Sequence, residues 1–250
     1  MIESLRRTGI LFTHNVVLRL RDPAQLISYI VLPMVLMVVF KPLYVRAVPG
    51  GTLNAVIGPL VLFSVFALAI VGNSIMVERE WRTWDRLRVS RATRTELLLG
   101  KTLPILVTLL LQQAVLLTFG LLVVGLPVPR TFGWLALAVV IWGFTLLSIG
   151  SALATLVRSR AELAVASDLG AMLVGAIGGA LIPVSIMPGW AQAIAPFSPG
   201  YWAISLMKAA IDGDPAGMVR PSVVLLGISA FATTVAIYRL ARGWGRSRLL

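Results

Sequence analysis

Long runs without a single ionisable side chain constrain this chain more than any other feature. Residues 47–77 lie between Arg46 and Glu78, 102–129 between Lys101 and Arg130, and 131–157 between Arg130 and Arg158. Residues 169–207 lie between Asp168 and Lys208, and 221–238 between Arg220 and Arg239. A helix needs about 20 residues to cross a hydrocarbon core of about 30 Å. Backbone in lipid must satisfy its own hydrogen bonds, so such runs are helical. An earlier apolar stretch, 23–45, is interrupted only by Lys41, whose stem can carry its ammonium out to the headgroups. The pattern predicts an all-α integral membrane protein with six transmembrane helices.

One domain over 1–250 is expected. It divides into an interfacial helix at 1–22, spans 1 and 2 at 23–77, a polar loop at 78–101, and spans 3 and 4 at 102–157. Span 5 with its lead-in follows at 158–182, a broken apolar segment at 183–207, an outer loop and span 6 at 208–238, and a tail at 239–250. Within 1–22, Ile2, Leu5, Phe12, Val16 and Leu20 gather on one side of a helical wheel and Arg7 and Arg21 on the other, the pattern of a helix lying in the interface. The basic start is followed by an apolar stretch too long for a leader's core, so no cleaved signal is expected.

Charge sets the orientation. Seventeen of the 22 Lys and Arg fall at 6–21, 79–101, 158–160 and 239–248. Only Lys41, Arg46, Arg130, Lys208 and Arg220 fall on the other side. Lys and Arg stay cytoplasmic, so both termini are expected inside. The net charge of +12 does not point to nucleic acid, because the charges sit in short runs between spans rather than along one folded face. With no Cys and only His14, thiolate or His-cluster metal sites are not expected, and no metal or catalytic residue is assigned.

The polar loop holds 11 of the chain's 32 charged residues and two of its seven Trp. Basic and acidic side chains of mixed sign around Trp81, Trp84 and Leu87 suit a short element that docks on a soluble protein, where Arg and Trp are favoured anchors. Gly100, Lys101 and Thr102 spell the end of a phosphate loop, but the Gly required five residues before Gly100 is Thr95. Lys101 is instead expected to anchor span 3 at the cytoplasmic face.

In 169–207, Gly175 and Gly179 stand at the spacing of a helix-packing face. Further on, Pro183, Pro188, Pro196, Pro199 and Gly200 preclude one continuous helix, while Trp190, Phe197, Tyr201 and Trp202 keep the segment apolar. A broken apolar stretch between spans reads as two short helices that dip into the outer leaflet and return. The alternative is an amphipathic loop on the outer surface.

No charge-free window carries the intramembrane acid or base that proton- and sodium-coupled carriers use. Asp212 and Asp214 are the candidates for interfacial enzyme chemistry, but Asp-Gly-Asp-Pro is better explained as a turn. The chain is expected to form a pathway powered by a partner. A self-sufficient channel or secondary carrier is the alternative, and a membrane enzyme a third.

These residues resemble the membrane subunit of ATP-binding cassette exporters of the type 2 permease family, which includes daunorubicin-resistance-like exporters. The resemblance is carried by Arg21-Asp22-Pro23 before a span with Pro33, by Glu78-Arg79-Glu80 with Thr83, Leu87 and Glu96 to Lys101, and by Ala195 to Trp202 with Lys208 and Gly213. Arg82 departs from it, standing where the family usually has Gly. The resemblance implies a prokaryotic plasma-membrane efflux permease that binds no cofactor itself, with ATP and Mg on a separate ABC ATPase, paired with a second permease as homodimer or related heterodimer. It implies that the ATPase is met by Glu78, Glu80, Trp81, Arg82, Thr83, Trp84, Asp85, Arg86, Leu87 and Arg88. The expected cargo is lipophilic or amphipathic (a drug or antibiotic, a lipid or a lipid-linked glycan), moving along a path lined by spans 2 and 5 and capped by 183–202.

Overall fold

The computed structural model describes residues 23–80 and 94–241, with side chains at 29–66, 68–77 and 103–239. The interfacial helix expected at 1–22 and the tail from 242 lie outside the described residues. Nine α-helices are present among those described: α1 Pro23–Ala47, α2 Gly51–Val65, α3 Ala67–Glu80, α4 Arg94–Phe119, α5 Phe132–Leu156, α6 Arg160–Ile177, α7 Gly189–Ile194, α8 Pro199–Asp212 and α9 Pro215–Ala241. α2 and α3 meet at a single turn residue, Phe66, and form one apolar rod. At its far end α4 widens into a π-helical turn, Gly120–Val124, closed by Gly125 at φ 82°.

Five helical stretches are long and apolar enough to cross a membrane: Tyr29–Ala47, Gly51–Val77, Leu103–Val124, Phe132–Leu156 and Pro215–Arg239. The chain is therefore an all-helical membrane protein among its described residues. Five of the six expected spans are matched by these stretches; the one expected within 158–182 is not among them. α6 carries Arg160, Glu162 and Asp168 within its 18 residues, so its charges extend along half the helix rather than ending in a lead-in. Its start follows from sequence: Ser159 is the N-cap and its Oγ accepts from Glu162 N–H at 3.1 Å, while Glu162 Oε2 accepts from Arg158 N–H at 2.7 Å.

The last helix also differs from expectation. It begins at Pro215, ahead of the charge-free window, and takes Arg220 inside it. Pro suits the first turn of a helix, and Arg220 places its guanidinium 5.2 Å from the Trp202 ring centroid, where the ring face offsets its charge. The outer loop expected from 208 shrinks to Gly213 and Asp214, because Gly213, at φ 67°, ends α8 in the left-handed conformation that Gly adopts without strain.

The α2–α3 rod is the core of the bundle, and every α2 residue from Asn54 to Val65 is buried. Within the subunit, most of the surface of span 2 is therefore covered by its neighbours. Trp142 of α5, fully buried, donates its Nε1–H to Ser64 Oγ at 2.7 Å. α5 and α9 are joined by hydroxyls: Ser229 Oγ lies 3.0 Å from Thr145 Oγ1, and Thr233 Oγ1 lies 3.2 Å from Ser148 Oγ. Such bonds hold helices together where lipid offers no hydrophobic drive between them.

Candidate functional site

Glu78 and Glu80 lie within α3 and Lys101 within α4, so helix reaches into the polar stretch from both sides. Trp81, Arg82, Thr83, Trp84, Asp85, Arg86, Leu87 and Arg88 lie outside the described residues.

At the opposite end, the segment after α6 is built by close approach. A side chain at Gly58 of α2 would run into the Ala180 carbonyl, and one at Gly175 of α6 into Leu62. Gly58 is seven residues, about 10 Å of helix, below the Gly51 end of the rod. α6 therefore stops short of that end. α8 starts at the same depth, where Gly200 packs against Val174, and rises until the Ile211 carbonyl meets the Arg130 N–H beside α5. Residues 178–198 leave the end of α6 and return to it. Gly179 is corrected from a helix-packing role: it lies beyond α6 at φ 88°, where it turns the chain, so Gly175 alone serves the helix contact.

The eight residues expected in this segment divide into two groups. Trp202 is buried, its Nε1–H donating to the Pro196 carbonyl at 2.8 Å and its ring meeting Tyr201 edge-on with centroids 5.1 Å apart. Pro183 is buried as well, and Pro199 and Tyr201 are half-buried. Pro188, Trp190, Pro196 and Phe197 face outward, with Phe197 86% exposed. Pro188 and Pro199 each stand where a short helix begins, which is why a proline-rich stretch still folds as helices.

Two contacts here escaped the sequence pattern. Tyr44 of α1 donates its hydroxyl to the Leu181 carbonyl, and Lys208 of α8 donates from Nζ to Asn54 Oδ1 at 2.6 Å. Both link residues more than 130 positions apart, so no local spacing signals them. Lys208 and Asn54 border a cavity of about 130 Å³ together with Tyr201, Ser205 and Ser185. A second, wholly different cavity of about 400 Å³ lies between α4 and α5, walled by side chains such as Leu110, Leu117, Leu121 and Phe132.

The arrangement can bury apolar groups along helix faces and hold a charged group near one end. A sequence model of the family described as "ABC-2 type transporter" matches residues 6–211. "Probable multidrug ABC transporter permease YbhR" of Escherichia coli strain K12 is 25% identical over 129 residues, covering 52% of this chain and 35% of that protein. The protein of the same name from Escherichia coli O157:H7 matches to the same extent. The match thus spans little more than a third of the length of these curated relatives.

Proposed function

The chain belongs to the ABC-2 type transporter family, and from this we propose that it is the permease subunit of an ATP-driven exporter of lipophilic or amphipathic molecules. The match across residues 6–211 is the observation that carries this reading. In it, a separate ABC ATPase holds ATP and Mg and docks on the segment between α3 and α4. A second permease, the same or related, completes the pathway, and both termini are cytoplasmic in a prokaryotic plasma membrane.

α6 is the fifth of six spans in this reading, its short length completed by the segment that follows. The shared depth of Ala180 and Gly200 below the Gly51 end supports a re-entrant 178–198 over a surface loop. The pathway falls to α6 rather than α2, because α6 exposes Val165, Leu169, Met172 and Leu173 while α2 is covered. One observation favours the self-sufficient carrier: Asp168 is exposed midway along that same face, where a coupled carrier would place an ionisable group.

Purification of the tagged chain from its host in mild detergent tests the reading. A co-purifying soluble ATPase is expected, and it should be lost when Glu80→Arg and Arg86→Glu are combined. Transport by the chain alone in liposomes, abolished by Asp168→Asn, would replace the exporter with the carrier.

A further inference from the structure

We propose that the cavity between α2, α8 and the turn after α6 is a binding site for the oxyanion of an amphiphile, a phosphate or carboxylate headgroup, with Lys208 as its charge. The ammonium has three N–H donors, and the bond to Asn54 Oδ1 uses one. No Asp or Glu is among the residues lining the cavity. Asp212, one turn further along α8, is exposed and outside it. Two further hydroxyl-bearing residues, Ser185 and Tyr201, line the space. The Ser205 hydroxyl is already committed to the Tyr201 carbonyl at 2.8 Å. Burial disfavours the charged form of Lys208 and Asp212 favours it, so an anion in the cavity of about 130 Å³, which has no lining carboxylate, would be held by the ammonium through charge-assisted hydrogen bonds, the strong class.

Position and rim select an amphiphile over a free ion. Asn54 is in the first turn of α2 and Lys208 one turn before the end of α8, so the charge lies toward the Gly51 end of the bundle, where an amphiphile's head can reach it from the leaflet. The neighbouring turn exposes Leu181, Ile182 and Ile186, a surface on which an acyl chain can lie while its head reaches Lys208. The same oxyanion chemistry has two sources, a lipid of the surrounding leaflet or an acidic group on the cargo. The site does not depend on how transport is powered.

The test uses the purified full chain and compares wild type with Lys208→Met, Lys208→Arg and Asn54→Asp. Asn54→Asp is the decisive variant: it keeps the α2–α8 tether, as an ion pair, but cancels the charge. One probe is dodecyl phosphate in dodecyl maltoside, read by calorimetric titration. The other is phosphatidylglycerol retained, by native mass spectrometry, after extraction from vesicles of phosphatidylcholine and phosphatidylglycerol.

Lys208→Met and Asn54→Asp should each weaken dodecyl phosphate binding about tenfold or more, with Lys208→Arg near wild type and the melting temperature of Asn54→Asp unchanged or raised. Phosphatidylglycerol lost in the same two variants assigns the site to leaflet lipid. Dodecyl phosphate binding without retained phosphatidylglycerol assigns it to cargo. Binding that is equal in wild type and Asn54→Asp, or absent from wild type, overturns the proposal and leaves Lys208 as a tether. Neither readout involves ATP hydrolysis or export, so failure here is separate from failure of the exporter reading.

Discussion

The two sides of the α2–α3 rod are held by different forces. On one side, Trp142 ties α5 to Ser64 of the rod, and α5 and α9 are stitched to each other by Ser229 to Thr145 and Thr233 to Ser148. On the other, α6 and the segment after it pack on the rod at Gly72, Gly175 and Gly58, with Tyr44 of α1 and Lys208 of α8 adding hydrogen bonds toward the Gly51 end. The first side presents specific directional bonds, the second close but undirected contact and a large exposed apolar surface from Val165 to Phe197. The contrast teaches that the α5–α9 side is scaffold, and that the α6 side packs closely on the rod while presenting an apolar face outward.

The largest effect is expected where the second side depends on the absence of a side chain. Gly58→Leu drives its first carbon into the Ala180 carbonyl, which is backbone and cannot rotate away. Destabilisation of about 3 kcal/mol is expected, read as loss of folded protein by fluorescence-detected size exclusion. A normal melting curve would mean that the turn after α6 is free to move off the rod.

Next in size is Trp142→Phe on the scaffold side. It removes the donor to Ser64 and leaves a small void in a fully buried site. The Ser64 hydroxyl keeps its own bond to the Val61 carbonyl at 2.7 Å, so no new unsatisfied donor appears. A loss of about 2 kcal/mol is expected from the lost bond and packing together, measurable as a lower melting temperature in detergent.

The α5–α9 hydroxyls are individually weaker. Thr145→Ala and Ser229→Ala should each cost about 0.6 kcal/mol. Because the two oxygens are 3.0 Å apart, the double mutant should cost less than the sum. Strict additivity in the melting temperatures would show that each hydroxyl serves only its own helix, through the Ile141 and Leu225 carbonyls.

What the sequence made legible follows this division. Apolar windows located the rod, α4 and α5, because the bilayer forces length and composition together. Asp212 to Pro215 announced the turn before α9, because turns are local chemistry. Illegible were the features that depend on distant partners. Gly175 and Gly179 share a spacing but not a helix. Arg220 broke a window that Trp202 then repaired, and the tethers of Tyr44 and Lys208 have no local signature. Apolarity located span 2 but did not show how far its neighbours wrap it.

The smallest effect on stability should accompany a real effect on function. Phe197 is 86% exposed and Trp190 68%, so in the isolated subunit their rings pack on little. Phe197→Ser should therefore shift stability by no more than about 0.5 kcal/mol. A phenyl ring left outside in this way has value only where lipid, cargo or a second permease covers it. Transport by the complete assembly should fall severalfold while the melting temperature of the purified subunit holds. Were the melting temperature to fall as well, Phe197 would belong to the internal packing of the turn, and the α6 side would be as much scaffold as α5 and α9.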